Sequence, residues 1–359
     1  MTCMIKIKVA ILDEEDGYLK RITEFFGSQY GDRLESYAFT NQTALFSFLH
    51  NHKVDVLLAS DRCELDVKSI NEKMAFAYLV NSTSIQKVND KRAICKYQKA
   101  DLFYKDILAL YSENPANVIG LRSDREGETM FLAVFSAAGG NGASTIAAAC
   151  CMNLASRGKR VLYLNLESMT SSRTYFQSDG NFSISDIVFA IKSKKGNLSL
   201  RIESSVKEDS SGVFFFDDGK TPLDVSELTT DDIVVLFDEL RFSKSFDYVL
   251  IDAPLQFQGK FFEVMRYAHT ILLVTDGSLV ANSKLQRIHE AIAIVEQREN
   301  VSLLNKIFLV GNKFENGTSR MPEMPEMPEI LMNVRKYERS ESLQVARLIA
   351  NMLELNKLK

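Results

Sequence analysis

Along the first 112 residues, short apolar runs alternate with amphipathic stretches. The runs lie at 7–12, 34–39, 54–59, 75–80 and 94–97, the second being the weakest. Helical spacing of apolar residues occupies 17–26, 43–49, 67–74 and 101–110, and a helix between 85 and 92 would be short or irregular. Five βα units of this size predict an open, doubly wound parallel sheet. A second series begins at Met130. Its predicted strands are 131–136, 161–166, 213–216, 248–251, 271–274 and 307–310. Its predicted helices are 144–156, 185–192, 231–240, 283–297 and 343–355, and 197–211 is ambiguous. Between the two series, 112–129 reads SENPANVIGLRSDREGET, a polar stretch with Pro115 and two glycines. This punctuation predicts a linker. The expected organisation is therefore 1–112, a linker over 113–129, and 130–359, with α/β structure in both halves. Met-Pro-Glu occurs three times at 321–329 and holds half of the six prolines, so a semi-extended surface loop is expected there.

Composition narrows the class. A chain of 359 residues predicts two or three domains at roughly 100–200 residues each. With 46% hydrophobic and 25% charged residues, disordered and low-complexity classes are excluded. No apolar stretch reaches 18 residues, which opposes a transmembrane helix, and 1–8 is too short and too charged for a secretory signal. The balance of 43 basic against 47 acidic residues, net −4, opposes electrostatic DNA binding. Cys3, Cys63, Cys95, Cys150 and Cys151 form no C-x-x-C and are expected to be reduced core thiols of a cytosolic protein. His50 and His52 can be read as a ligand pair or, preferably, as an exposed helix end. No Ser/His/Asp or Cys/His constellation stands out.

Chemistry concentrates after the strand at 131–136, where Ala137-Ala138-Gly139-Gly140-Asn141-Gly142-Ala143-Ser144-Thr145 leads into a helix. A strand, a glycine-rich turn and a helix N-terminus make an anion site. The turn resembles the deviant P-loop of the ParA/MinD class, K-G-G-x-G-K-[ST]-[ST], with alanine at both lysine positions, Ala138 and Ala143. The order of further motifs extends the resemblance to nearly all of 130–359. Residues 246–254, FDYVLIDAP, match a strand ending in Asp-x-Pro. Residues 160–167, RVLYLNLE, match a second strand that usually ends Asp-x-Asp, here Asn165 and Glu167. Residues 307–314, IFLVGNKF, match a late strand ending in an adenine-contacting Asn, and 343–355 matches the closing helix.

The resemblance implies a P-loop NTPase sheet with helices on both faces, ATP and Mg²⁺ as cofactors, and a nucleotide held by Gly139, Gly140, Asn141, Gly142, Ala143, Ser144, Thr145, Asn312 and Lys313. Ser144 would ligate Mg²⁺ and Asp252 would hold it through water, while Asn165 and Asp252 mark a weakened catalytic centre. Because phosphoryl transfer rests on positioning and charge, losing both lysines should harm hydrolysis more than binding. Arg173, Lys260 and Lys313 lie near expected strand ends, each readable as a replacement cation or as an ordinary solvated charge.

The first half resembles the receiver domain of response regulators, a flavodoxin-like fold. Asp13-Glu14-Glu15-Asp16 follows the first strand, Lys96 fits the lysine position, and Asn81-Ser82 ends the fourth strand. Alignment on Asp55 puts Ser60 at the acceptor position, with Asp61 one residue late and so on the other face. Either Asp61 accepts phosphate, or the domain is a receiver-shaped binding module with a partly erased site. The second reading is preferred. The two halves together resemble the TadZ/CpaE family of tight-adherence (Tad/Flp) pilus assembly. That family implies an ATP-binding homodimer joined through the ATPase domain, at most a weak ATPase, located in the cytoplasm and concentrated at a cell pole. It also implies pilus assembly proteins as partners of the receiver-like domain; the net charge and the missing lysines oppose specific DNA binding, and the amphipathic 343–359, needed to close the fold, leaves at most peripheral membrane contact. A nucleotide-free scaffold and a ParA/MinD-like positioning ATPase for another cargo are the alternatives.

Overall fold

The apolar runs of the first half become β1 (Ile7–Leu12), β2 (Leu34–Phe39), β3 (Val56–Ser60), β4 (Ala75–Val80), β5 (Lys87–Val88) and β6 (Lys91–Cys95). They form one sheet in the order β2-β1-β3-β4-β6-β5, parallel apart from the β5–β6 pair. The structure is a computed structural model that describes residues 6–63, 65, 70, 71, 74–113, 127–194, 196–315, 317–323, 326–338 and 340–358. Much of the helix expected at 67–74, most of the linker at 113–129, and 324 and 325 of the Met-Pro-Glu repeat lie outside those residues. Strand alternation divides the core. Ile7, Val9, Ile11, Val56, Leu58 and Leu79 pack with buried residues of α1 (Asp16–Gln29) and α3 (Ala100–Ser112). Ala10, Leu12, Leu57 and Ala59 pack instead with Leu45 of α2 (Gln42–Asn51).

The helix expected between 85 and 92 is a β-hairpin. Val88 faces Lys91 and Lys87 faces Arg92, so Asn89-Asp90 is a two-residue turn. Both turn residues are left-handed, at φ 48° and 59°. Asn and Asp tolerate that conformation, and it matches the twist of paired strands.

The second series supplies β7 (Met130–Ser136), α4 (Ala143–Ser156), β8 (Val161–Asn165), α5 (Ile184–Ser193), α6 (Leu198–Ser205), β9 (Lys207–Glu208), β10 (Phe214–Phe215) and α7 (Thr230–Ser243). It continues with β11 (Tyr248–Asp252), α8 (Gly259–Tyr267), β12 (Thr270–Thr275), α9 (Leu279–Glu299), β13 (Ile307–Phe314), β14 (Glu329–Arg335) and α10 (Ser342–Ala350). The eight-stranded order is β14-β13-β12-β7-β11-β8-β10-β9, with β9 alone antiparallel to its neighbour. Leu132 and Val134 share a core with α4 and α10, whereas Phe131 turns the other way onto Phe237 and Tyr267. The closing helix stops at Ala350, and a 3-10 turn at Leu353–Lys357 returns Leu355 to the core. Cys95, Cys150 and Cys151 are buried free thiols, and Cys63 is only half-buried. Among the described residues no helix is long and apolar enough to cross a membrane.

By contacts the chain divides into Met1–Leu121 with Ser193–Ser205, and Arg122–Lys192 with Val206–Lys359. The ambiguous segment thus gives α6 to the receiver-like unit. Leu200 is fully buried in that unit's core. Arg201 donates to Glu113 at 2.8 Å, and Glu203 pairs with Arg33. Entry to α6 needs a glycine: Gly196 sits at φ +80°, and a Cβ there would stand 2.0 Å from the Ser112 carbonyl oxygen. Leu200→Ala should cost about 2–5 kcal/mol, the usual range for a buried leucine. Hydrogen exchange on the full chain should show the loss of protection in α1 and α3 while α4 keeps its own.

Candidate functional site

β7 ends at Ser136 and α4 begins at Ala143, so 137–142 makes the turn between them. Both ends of that turn fasten to one carbonyl of β12. The Ala137 N–H donates to the Val274 oxygen at 2.9 Å, and the Asn141 side-chain amide donates to it at 3.3 Å. Gly140 and Gly142 both lie at φ +81°. Gly142 caps α4, and a Cβ on it would come 2.5 Å from the Asn312 amide nitrogen. Over Gly139 and Gly140 a Cβ would meet no atom within 4 Å, so that side of the loop is open. The first N–H groups of α4 have no acceptor inside the helix, and its dipole places partial positive charge there. The loop is therefore an anion cradle built from backbone.

Its shape is held from β13. Asn312, 3% exposed, donates its side-chain N–H to the Asn141 carbonyl at 2.7 Å. Lys313 follows at φ +58° and donates Nζ to the Gly140 carbonyl at 2.7 Å from the exposed rim. Of the three cations singled out from sequence, Lys313 is the one brought to the loop. Arg173 is paired with Asp217, and Lys260 donates to the Val225 carbonyl at 2.7 Å. Arg173 stays largely exposed in its pair, as an ordinary surface charge does, and in this structure neither residue is held at the loop.

The acidic side lies at the end of β11. Asp252 is 1% exposed, and burial pushes its carboxyl up to about 6 against the opposing hydrogen bond from Tyr163. The Ser144 hydroxyl stands near enough to this carboxylate to oppose that rise. The two residues expected at Mg²⁺ are thus neighbours, and their oxygens suit a hard cation. Thr145 turns away and shares a 3.0 Å hydrogen bond with the Tyr175 hydroxyl. Asn165 accepts from the Glu167 N–H at 2.9 Å, and its amide reaches the Tyr163 hydroxyl at 3.5 Å. Tyr163 donates to Asp252 Oδ2 at 2.7 Å. Sequence reasoning passed over Tyr163. A signal existed: it shares a strand face with Asn165 two positions on, and it lies diagonally across from Asp252 in the β8–β11 register.

In the first unit, Ser60 ends β3 buried and Asp61 is exposed beyond it. Lys96 Nζ donates to Asp13 Oδ2 at 2.9 Å and to Glu15 Oε1 at 2.8 Å, with both Lys96 and Asp13 buried. Burial works against this ammonium, but the bonds to Glu15 and Asp13 outweigh it and hold its pKa above the usual lysine range. The same contact, with the Tyr97 hydroxyl, lowers Glu15. Among the acids that follow β1, these two share one internal cation. His50 and His52 are exposed at the end of α2, the second stacked on Phe48, and no group of three metal-ligating side chains occurs among the described residues.

Residues 132–357 match the CobQ/CobB/MinD/ParA nucleotide binding domain, and residues 5–112 match the TadZ-like receiver domain. The chain belongs to the CobQ/CobB/MinD/ParA nucleotide binding domain family, and the pair of matches gives it the TadZ/CpaE architecture. A ParA family ATPase from Chlorobium tepidum TLS is 18% identical, with a TM-score of 0.50 over 62% of this chain and 90% of that one, which shows the fold. The septum site-determining protein MinD of Pyrococcus horikoshii OT3, solved with Mg-ADP, is 15% identical over 62% of this chain and 94% of its own, at a TM-score of 0.47. No curated protein matches the sequence.

With Ser60 in the acceptor position and Lys96 bound into the acids, acetyl phosphate should leave the protein unlabelled. Phosphorylation detected by intact mass that disappears in Asp61→Asn would show the reverse.

Proposed function

We propose that this chain binds ATP·Mg²⁺ at the loop 137–145, dimerises around it, and serves as a localisation and recruitment factor for Tad/Flp pilus assembly. The observation that carries the reading is the loop itself: an open backbone cradle at a helix N-terminus, kept in shape without either lysine. Phosphate oxygens would meet the N–H groups of 139–145. Ser144 and Asp252 would hold the metal, Asp252 through its water shell. Magnesium would supply charge neutralisation across the phosphates, which the loop's own side chains lack. Asn312 serves the nucleotide through the loop that it holds, and the adenine would lie near it.

Turnover should be slow. Ala138 and Ala143 remove the cations that would meet charge developing on the transferred group, and Asn165 cannot take a proton from water. ATP then acts as a long-lived bridge in an isologous dimer, because a ligand bound better by one state shifts the population toward it. The receiver-like unit, with its phosphorylation chemistry closed off, docks pilus assembly proteins. The alanines also favour a second reading, a scaffold that binds no nucleotide.

Calorimetry separates the two readings: ATP·Mg²⁺ should bind the wild type and not Gly142→Val, whose side chain is barred by both the left-handed backbone and Asn312. Equal affinity in that variant would remove the site. Sedimentation should show a dimer that tightens with ATP·Mg²⁺, alongside phosphate release far below that of a lysine-bearing relative. A monomer in saturating ATP, or rapid release, would overturn the bridge.

A further inference from the structure

We propose that Tyr163 is a positioning residue for the metal-binding carboxylate, fixing Asp252 so that its remaining oxygen faces magnesium. The inference rests on the ATP·Mg²⁺ reading above and deepens it. Tyr163 is 1% exposed, with its ring packed against Phe176 at 5.1 Å between centroids. Its hydroxyl is cut off from bulk water and donates to Asp252 Oδ2 at 2.7 Å. The Asn165 amide approaches the same hydroxyl at 3.5 Å, so the phenol oxygen can accept from Asn165 while its proton goes to Asp252. Both ends of the contact sit on central strands: Tyr163 is opposite Leu250, and Asp252 is opposite Asn165. The geometry is thus set by the sheet rather than by a loop.

Two roles of opposite sign are conceivable for such a hydroxyl: it can compete with a cation for the carboxylate, or it can orient the carboxylate toward one. The strand geometry decides between them. Oδ2 is occupied by Tyr163, whose ring is packed on Phe176 and whose strand position is fixed opposite Leu250. The hydroxyl therefore stops the carboxylate turning and leaves its other oxygen for a cation. Outer partners of metal ligands typically contribute about 10–100-fold to metal affinity.

The test titrates a fluorescent ATP analogue into the full-length protein, once with EDTA and once with Mg²⁺. Wild type should bind more tightly with the metal. Tyr163→Phe should keep its metal-free affinity within about twofold and lose about 10-fold or more of the gain from Mg²⁺. Asp252→Asn should lose the same gain, and the double variant should lose no more. A gain that is unchanged or larger in Tyr163→Phe overturns the proposal, as does an equal fall with and without metal. Should Tyr163→Phe not fold, 3-fluorotyrosine at position 163 keeps the hydroxyl. Its fluorine resonance should move when Mg²⁺ is added to the ATP-loaded protein, and an unmoved resonance overturns the proposal. Wild type that binds no nucleotide in either buffer overturns the ATP reading and this inference with it. Nucleotide binding with an unaltered metal gain in Tyr163→Phe overturns this inference alone.

Discussion

A single buried carboxamide governs the carboxyl edge of the larger sheet. Asn312 donates to the Asn141 carbonyl, and Asn141 in turn donates to the Val274 carbonyl that already receives Ala137. Two strands, β13 and β12, and the turn become one hydrogen-bonded ladder. The ladder fits because Gly142 has no Cβ: any side chain there would collide with the amide that holds its neighbour. Loop shape is therefore a matter of packing and backbone, independent of the charge that a lysine would bring. This is why a lysine-free sequence retains the cradle.

The two units solve the problem of a buried carboxylate in different ways. In the receiver-like unit, Lys96 pairs with the buried Asp13 and reaches out to the half-exposed Glu15. In the nucleotide-binding unit, Asp252 has no cation beside it: burial, with the nearby Glu167 carboxylate, raises its carboxyl pKa against the Tyr163 hydrogen bond. The first arrangement gives its buried carboxylate a cation from within the protein. The second leaves an anion with capacity to accept a cation, which buried charges require of their surroundings. One family of folds thus carries a shut acidic site and an open one in the same chain.

Most strands could be read from sequence because apolar runs such as 7–12 and 131–136 are buried on both faces and leave little ambiguity of register. The failures have physical causes. Residues 85–92 could not be told from a short helix, because the deciding feature is the backbone of Asn89 and Asp90 rather than the side-chain pattern. Segment 197–211 was ambiguous because α6 packs on residues far earlier in the chain, and periodicity does not reveal a distant partner. α8 is only nine residues long and opens on Gly259 at φ +59°, and β14 hides directly behind the Met-Pro-Glu repeat. At the site, glycine spacing pointed to the loop, and the Asp-x-Pro strand end pointed to Asp252. Which of Arg173, Lys260 and Lys313 reaches it depended on strand ends and on competing partners such as Asp217, and Tyr163 was hidden as one apolar strand residue among several.

The placement of α6 bears on the order in which the chain can be finished. The core of the receiver-like unit includes Leu200, yet residues 113–192 are made between α3 and the start of that segment. At about 5–20 residues per second, synthesis of that stretch takes on the order of 4–16 s. During this interval β1 to α3 would be complete in sequence but would leave the seat of Leu200 uncovered. On the ribosome the amino-terminal unit is thus the first to begin folding and waits for a helix encoded within the gene segment of the other.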